Sequence, residues 1–185
     1  MSTLRIISGT AKGMRIRSVP GDSTRPITDR VKESLFNIIG NDIVGANFLD
    51  LFCGTGSVSI EALSRKAAYA RMLDLHSLAV KTINLNLETT KLISKAKVIR
   101  VDSLSYIKNN PDLQFDYIYI APPQYKEIWK QTILLLDQNI NWLHEDGWVI
   151  VQIHPNEFLE IDLSNLVVFD KRKYGSTLLV FYQRK

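Results

Sequence analysis

Short apolar runs alternate along most of the chain with stretches whose apolar residues recur every three or four positions, a pattern of strands separated by amphipathic helices. Strands are predicted over 48–52, 68–73, 97–101 and 117–120. Between them, helical spacing appears through Val58, Ile60, Ala62 and Leu63, then from about Ser77 to Thr90, over 104–108, and over 128–136. Apolar runs at 148–153, 166–169 and 178–182 close the series. Ahead of all this, residues 4–19 read as two short strands around a glycine-containing turn, and Pro20, Gly21 and Pro26 then break the pattern. Thr28 or Asp29 can cap a helix carrying Val31, Leu35, Ile38 and Ile39, which ends near Gly40.

Strands joined through helices imply an α/β fold with a doubly wound, mostly parallel sheet. The short connection between the last apolar runs implies an antiparallel hairpin at one edge. Organisation is expected as a basic N-terminal β-hairpin extension over 1–22 and a main domain over 23–185, with no internal repeat or long linker.

Composition narrows the picture modestly. With 45% hydrophobic and 23% charged residues the chain is ordinary for a globular protein, and 185 residues suffice for one sizeable core. No apolar run approaches the roughly 20 residues of a bilayer span, and Arg5, Lys12, Arg15 and Arg17 interrupt any leader-like segment. A cytoplasmic location without membrane partners is the expectation. The single cysteine, Cys53, allows neither an internal disulfide nor a multi-cysteine metal site, and His76, His144 and His154 show no ligand spacing, so no metal is expected.

Charge placement says more than its total. Residues 1–32 carry Arg5, Lys12, Arg15, Arg17, Arg25, Arg30 and Lys32 against Asp22 and Asp29, a surplus of five in a chain of net +4. A basic arm on a near-neutral body suggests a polyanionic partner, although a solvated surface hairpin has the same composition.

The densest chemistry runs from Phe48 to Gly56. Asp50 sits near the C-terminal end of the first sheet strand, and Gly54 and Gly56 let the backbone turn tightly and approach a ligand. In a doubly wound fold, nucleotides bind at such strand ends. Asp74 ends the next strand, where a carboxylate can accept both ribose hydroxyls. A dinucleotide site would want a third glycine where Ser59 stands. Asp50 favours a ligand with a cationic amine, and S-adenosylmethionine carries an ammonium and a sulfonium. A lone G-x-G is also a common structural turn; its combination with Asp50 and Asp74 points to the cofactor. Asp102 follows the third strand and suits either an adenine amino group or the cap of the helix beginning near Leu104.

The fourth strand runs into Ala121-Pro122-Pro123-Gln124-Tyr125. Two prolines remove two amide donors and leave carbonyls to accept, while the tyrosine can stack on a flat substrate. That combination suits methylation of an exocyclic amine. A turn with a half-buried tyrosine is the plainer reading. Cys53 is unsuited to nucleophilic work, which would call for a cysteine near the fourth strand. Trp129, Trp142 and Trp148 read as core or packing residues.

With these motifs in place, the whole chain resembles the bacterial methyltransferases that convert a guanine of small-subunit (16S) rRNA to N2-methylguanine, within the Rossmann-like class I methyltransferases. The likeness rests on Arg5-Ile-Ile-Ser-Gly9, Lys12-Gly13, Thr24-Arg-Pro26 and Asp29-Arg-Val-Lys-Glu-Ser-Leu-Phe-Asn37. It also includes residues 48–56, Glu61-Ala-Leu-Ser-Arg65, Pro122-Pro123 and Tyr174-Gly175. The segment from Thr24 to Asn37 is more diagnostic than the glycine loop. The resemblance implies cofactor contacts at Thr28, Asp50, Phe52, Gly54, Gly56, Asp74, Leu75, Asp102 and Ser103. It implies catalytic positioning by residues 121–125 and rRNA contacts at Lys12, Arg15, Arg17, Arg25 and Arg30. The partner would be ribosomal RNA, naked or within a partly assembled small subunit; the sequence leaves the oligomeric state open, with a monomer favoured. One departure stands out: the family has Asp or Asn before Pro-Pro-aromatic, whereas here Ala121 precedes the prolines and Gln124 is inserted before Tyr125. Two alternatives remain at this stage: an amine methyltransferase acting on adenine N6 or protein glutamine, and a non-catalytic RNA-binding assembly factor.

Overall fold

Why the strands alternate apolar residues on both faces becomes clear in the computed structural model, which describes residues 4–21 and 27–185. A seven-stranded sheet contains β3 (Asn47–Asp50), β4 (Tyr69–Asp74), β5 (Ala96–Arg100), β6 (Phe115–Ile120), β7 (Leu143–Ile153), β8 (Leu166–Tyr174) and β9 (Thr177–Arg184) in the order β5-β4-β3-β6-β7-β9-β8. Pairings from β5 through β7 are parallel, and β9 and β8 add an antiparallel edge hairpin. The doubly wound α/β class and the edge hairpin expected from the sequence are both present. A separate two-stranded hairpin, β1 (Leu4–Arg5) with β2 (Arg15–Ile16), precedes the sheet.

Period-two alternation sends successive residues to opposite cores. Phe48, Met72, Tyr119 and Ile150 join one cluster with residues of α1 (Asp29–Ile39), α2 (Ser57–Ser64) and α3 (Ser77–Thr89). Leu49, Leu73, Ile118 and Val149 join the other with residues from α4 (Ser103–Ile107) and α5 (Ile128–Gln138). Trp129 and Trp142 are buried in the second cluster, as core tryptophans. Helix α1 shows how local sequence sets an element: Val31, Leu35, Phe36 and Ile39 fall on one face and are buried, each contributing about 1.5–3 kcal/mol. Thr28 caps it, its hydroxyl accepting the Val31 amide at 3.3 Å, and Gly40 stops it at φ 66°.

Two strands extend beyond their apolar signal. β7 begins at Leu143, before the apolar run at 148, and its register against β6 shifts between Phe115 and Tyr117. β8 does not end at Phe169 but continues through Asp170-Lys-Arg-Lys-Tyr174 because β9 offers a continuous ladder. An edge strand has one side open to solvent and tolerates charges that a central strand would not.

The hairpin is packed on the domain rather than hung from it. Leu4, Ile6, Ala11 and Ile16 are buried in the first cluster. The Glu61 carboxylate on α2 accepts the Ile7 and Ser8 amides at 2.8 and 2.9 Å. Ser64 Oγ donates to Ser8 O and accepts the Ala11 amide. Lys32 Nζ donates to Arg5 O and Ser57 Oγ and lies 3.5 Å from Glu61, with both side chains almost wholly buried. Burial lowers the Lys32 pKa, opposed by the neighbouring Glu61 and Asp29 carboxylates. No described helix is long and apolar enough to cross a membrane.

Candidate functional site

Strand order reverses at β3: the connections through α2 and α3 build outward to β4 and β5, while β6 lies on the other side. The crevice above such a switch point is where α/β sheets bind ligands. Three candidate segments leave the carboxyl ends of adjacent strands there, after β3, β4 and β6. Asp50 and Tyr119 are direct register partners, so the glycine loop and the Pro-Pro loop start side by side.

Asp50 is the last residue of β3 and is 1% exposed. Its Oδ2 accepts the Ser59 hydroxyl at 2.8 Å and its Oδ1 the Phe52 amide at 3.3 Å. Burial pushes its pKa up to about 6, against the lowering effect of these hydrogen bonds. The sequence position that would hold a third dinucleotide-type glycine thus holds the hydroxyl that orients this carboxylate. Phe52 is half-buried beside it.

The two loop glycines answer different needs. Gly54 has φ 55°, and a Cβ there would meet nothing within 4 Å, so the space before the loop is open to a ligand. At Gly56, φ 77°, a Cβ would come 2.7 Å from Met72 Cε: this glycine permits close approach of α2 to β4. Cys53 is buried, its thiol donating toward Asp50 O at 3.2 Å, and burial holds its pKa well above the ordinary value. A protonated, buried thiol is no nucleophile.

Asp74 ends β4. Its Oδ2 accepts the Gly54 amide at 2.9 Å and its Oδ1 the His76 amide at 2.8 Å, so one carboxylate braces both the glycine loop and the turn into α3. Carboxylate oxygens keep further acceptor capacity for hydroxyls. Leu75 beside it is 54% exposed, an apolar surface next to a polar crevice. Asp102 caps α4, its Oδ1 accepting the Ser105 amide at 2.8 Å, and is exposed. Ser103 is buried and donates to Leu51 O, tying α4 to the end of β3. Thr28 is exposed at the start of α1.

The loop after β6 contrasts with this bracing. Ala121 is half-buried and Pro122 buried, while Pro123, Gln124 and Tyr125 are exposed, Tyr125 by 66%. Tyr125 and Glu127 both have left-handed backbone, φ 59° and 53°. Such conformations at non-glycine residues cluster in ligand clamps and need outside support. Glu157 supplies it: Oε2 accepts the Tyr125 amide at 2.7 Å while Oε1 accepts the His154 amide at 3.2 Å. The His154 ring lies 5.7 Å from the Tyr125 ring. A shallow pocket of about 240 Å³ beside the loop is lined by Tyr125, Trp129 and Glu157 but by no residue of the glycine loop. A second, similar concavity lies at the outer edge around Phe158 and Val168 and touches none of these residues.

Lys12, Arg15, Arg17 and Arg30 are exposed, whereas Arg25, with the Thr24–Pro26 motif, falls outside the described residues. Arg17 meets the crevice through a residue the sequence reading passed over. Asn86 on α3, fully buried, accepts the Arg17 amide through Oδ1 at 2.8 Å and donates through Nδ2 to Arg17 O and Thr55 O, at 3.0 and 2.9 Å. One amide therefore joins the basic hairpin to the glycine loop. A signal existed: Asn86 occupies the buried helical phase with Ile83 and Leu87. Glu157 had no comparable signal, because its role depends on a loop that is distant in sequence.

Comparison with known proteins agrees with this geometry along nearly the full chain. The family described as "Conserved hypothetical protein 95" matches residues 4–183. A Bacillus subtilis relative, provisionally named an rRNA methyltransferase, is 36% identical over 184 residues, covering 98% of this chain and 100% of that one. A Haemophilus influenzae relative named Ribosomal RNA small subunit methyltransferase D is 34% identical, with 97% and 93% covered. A solved structure from Escherichia coli superposes with a TM-score of 0.88 at 30% identity, covering 100% of this chain and 99% of that one. With the family match spanning hairpin, glycine loop and Pro-Pro loop alike, the chain belongs to the conserved hypothetical protein 95 family, which the sequence motifs had described as bacterial small-subunit rRNA methyltransferases.

Proposed function

We propose that this protein transfers a methyl group from S-adenosylmethionine to the exocyclic N2 of a guanine in small-subunit rRNA. The observation that carries the reading is the juxtaposition of Asp50 and Asp74 at one pair of strand ends with the Pro122-Pro123-Tyr125 loop on the adjoining strand β6. Full-length relatives named for methylating small-subunit rRNA support it. The residues fit the cofactor: Asp50 is a buried carboxylate suited to an ammonium, and Gly54 faces open space. When bound, S-adenosylmethionine supplies an electrophilic methyl on a sulfonium, and no metal is needed.

The chain's own groups do the rest by alignment. Asp50 would hold the ammonium end and Asp74 the ribose hydroxyls, with Thr28, Phe52, Leu75, Asp102 and Ser103 completing the site. Carbonyls at residues 121–122 accept the amine N–H bonds so that the nitrogen lone pair turns toward the methyl, and Gln124 stands in for the amide or carboxylate that Ala121 lacks. Tyr125 holds the unstacked base. The hairpin over 1–22 acts as an rRNA-gripping extension of the methyltransferase domain over 23–185, through Lys12, Arg15 and Arg17, with Arg25 and Arg30 contributed by the domain itself.

Incubating the protein with small-subunit rRNA and isotopically labelled cofactor, followed by nucleoside mass spectrometry, tests the reading. Label in N2-methylguanosine is the expected result. Label in N6-methyladenosine, or rRNA binding without transfer, would replace it. Charge reversal at Arg15 and Arg17 is expected to weaken rRNA binding and flatten its salt dependence while cofactor affinity stays unchanged.

A further inference from the structure

The chain's second concentration of positive charge lies at its other end. Residues 170–185 carry Lys171, Arg172, Lys173, Arg184 and Lys185 against Asp170, a surplus of four, close to that of the N-terminal arm. Arg184 and Lys185 are committed to backbone carbonyls of Ile140, Leu143 and Leu163. The other three are exposed on edge strand β8. Arg172 pairs with Asp170 at 2.8 Å in an exposed contact of small worth, and Lys171 sits 4.6 Å over the Phe158 ring. Among the described residues, Lys173 has no ion-pair partner.

Register locates the triplet. Ile120, the last residue of β6, pairs with Val151, Val151 with Val180, and Val180 with Lys171. Arg172 and Lys173 follow in the next rows, opposite Leu179 and Leu178, which pair with Gln152 and Ile153. All three charges therefore lie at, or just beyond, the level where the Pro-Pro loop begins, Lys171 and Lys173 on the face of the second cluster with Val180 and Leu178, and Arg172 around the open edge on the face of the first with Leu179. They stand three strand spacings away, about 14 Å. The hairpin sits on the opposite flank, joined through Asn86 to the glycine loop.

We infer that Lys171, Arg172 and Lys173 form a second contact with the RNA phosphate backbone, so that the substrate is gripped on both flanks of the loop carrying Tyr125. The inference rests on rRNA being the substrate. Charge on an edge strand also serves to prevent edge-to-edge association. In β8, however, the exposed apolar residues Val167 and Phe169 lie below the charged triplet, where an edge guard would be needed. The basic residues are gathered at the site end.

The test substitutes Lys171→Ala, Arg172→Ala and Lys173→Ala together, and measures binding and single-turnover methylation of small-subunit rRNA across a salt series. Neutralising three lysines at the far end of the fold, Lys95, Lys97 and Lys108, provides a control of equal charge. The β8 variant is expected to bind rRNA at least tenfold more weakly, with a salt slope smaller by roughly 2–3 at about 0.7–0.9 per lost phosphate contact. Turnover at saturating RNA, cofactor affinity and mass in solution stay unchanged, and the control variant binds as wild type. Equal losses in both variants would reduce the effect to net charge and overturn the inference. An unchanged salt slope, or loss of binding accompanied by self-association, would overturn it as well. If wild-type protein neither binds nor methylates rRNA, the functional reading itself falls; failure of the β8 variant alone to differ leaves that reading standing.

Discussion

The glycine loop and the Pro-Pro loop leave neighbouring strands of one sheet, yet they are held in opposite ways. Around the glycine loop the supports come from several elements: Asp74 at the end of β4 braces Gly54, Asn86 on α3 holds Thr55 and Arg17 together, and the Lys32–Glu61 pair anchors the hairpin on α2. Around Tyr125 the chain is exposed, takes two left-handed residues, and is held by the carboxylate of Glu157. A small cofactor of constant shape rewards a preformed cradle. A base that must be drawn out of an RNA stack is better met by a loop that can adjust. Under the proposed function, the many-sided bracing falls on the cofactor's side and the single carboxylate support on the side of the base.

Breaking the rigid side has the largest expected effect. Glu61→Ala strands the buried Lys32 ammonium and leaves the Ile7 and Ser8 amides unpaired, a loss of about 3–5 kcal/mol by analogy with broken buried pairs. At roughly 2–4 °C per kcal/mol for a chain of this size, thermal unfolding should show Tm lower by about 6–20 °C. A drop of a degree or two would mean that the hairpin is not strapped to α2 as described.

Asp50 sharpens the comparison through pH. Its folded pKa of about 6 lies above the ordinary 3.8, so folding favours the protonated acid. The free protein should lose stability as pH rises from about 4 to 6, by up to about 3 kcal/mol at 1.36 kcal/mol per unit, and then level off. A bound ammonium reverses the preference. If Asp50 holds the ammonium as proposed, cofactor affinity is expected to be full well above pH 6 and to decline below it, approaching tenfold per unit. Calorimetry from pH 5 to 8 checks this, and Asp50→Asn should bind cofactor weakly while melting higher than wild type at pH 7. Affinity independent of pH over that range would remove Asp50 from the ammonium's surroundings.

The adjustable side is expected to show in transfer and not in cofactor binding. Tyr125→Ala, losing stacking worth roughly 1–3 kcal/mol, should slow single-turnover methylation about ten- to a hundredfold with cofactor affinity intact. The smallest effect belongs to Glu157→Gln. The amide still accepts from Tyr125 N–H but without charge assistance, a change of about 0.5–1.5 kcal/mol that should appear as a two- to tenfold rise in RNA KM. Equal effects of Glu157→Gln on cofactor affinity would erase the contrast between the two loops.

Much of this was legible beforehand where the relevant residues are close in sequence. The fold class followed from periodicity; of the two caps offered at 28 and 29 the structure uses Thr28, and of the two roles offered for Asp102 it shows the cap, each lying three residues from its amide. Strand ends were less legible. β8 was expected to stop at Phe169 because its apolar run stops there, but hydrogen bonding to β9 carries it five residues further. Lys171, Arg172 and Lys173 lie beyond that run, so only the ladder to β9 gives them a register.

The sequence by itself determined the alternating elements, the two-faced sheet and the chemistry of the segment from Asp50 to Gly56, because burial periodicity and turn geometry act over a few residues. Tertiary structure alone decided that Asn86 grips Arg17 across 69 positions, that Glu61 caps the amides of Ile7 and Ser8 more than 50 positions away, and that Lys171 stands level with Ile120. Buried polar groups must find partners, and strands must find a register. Which distant residue satisfies each is set by how the layers pack, a condition that no local pattern encodes.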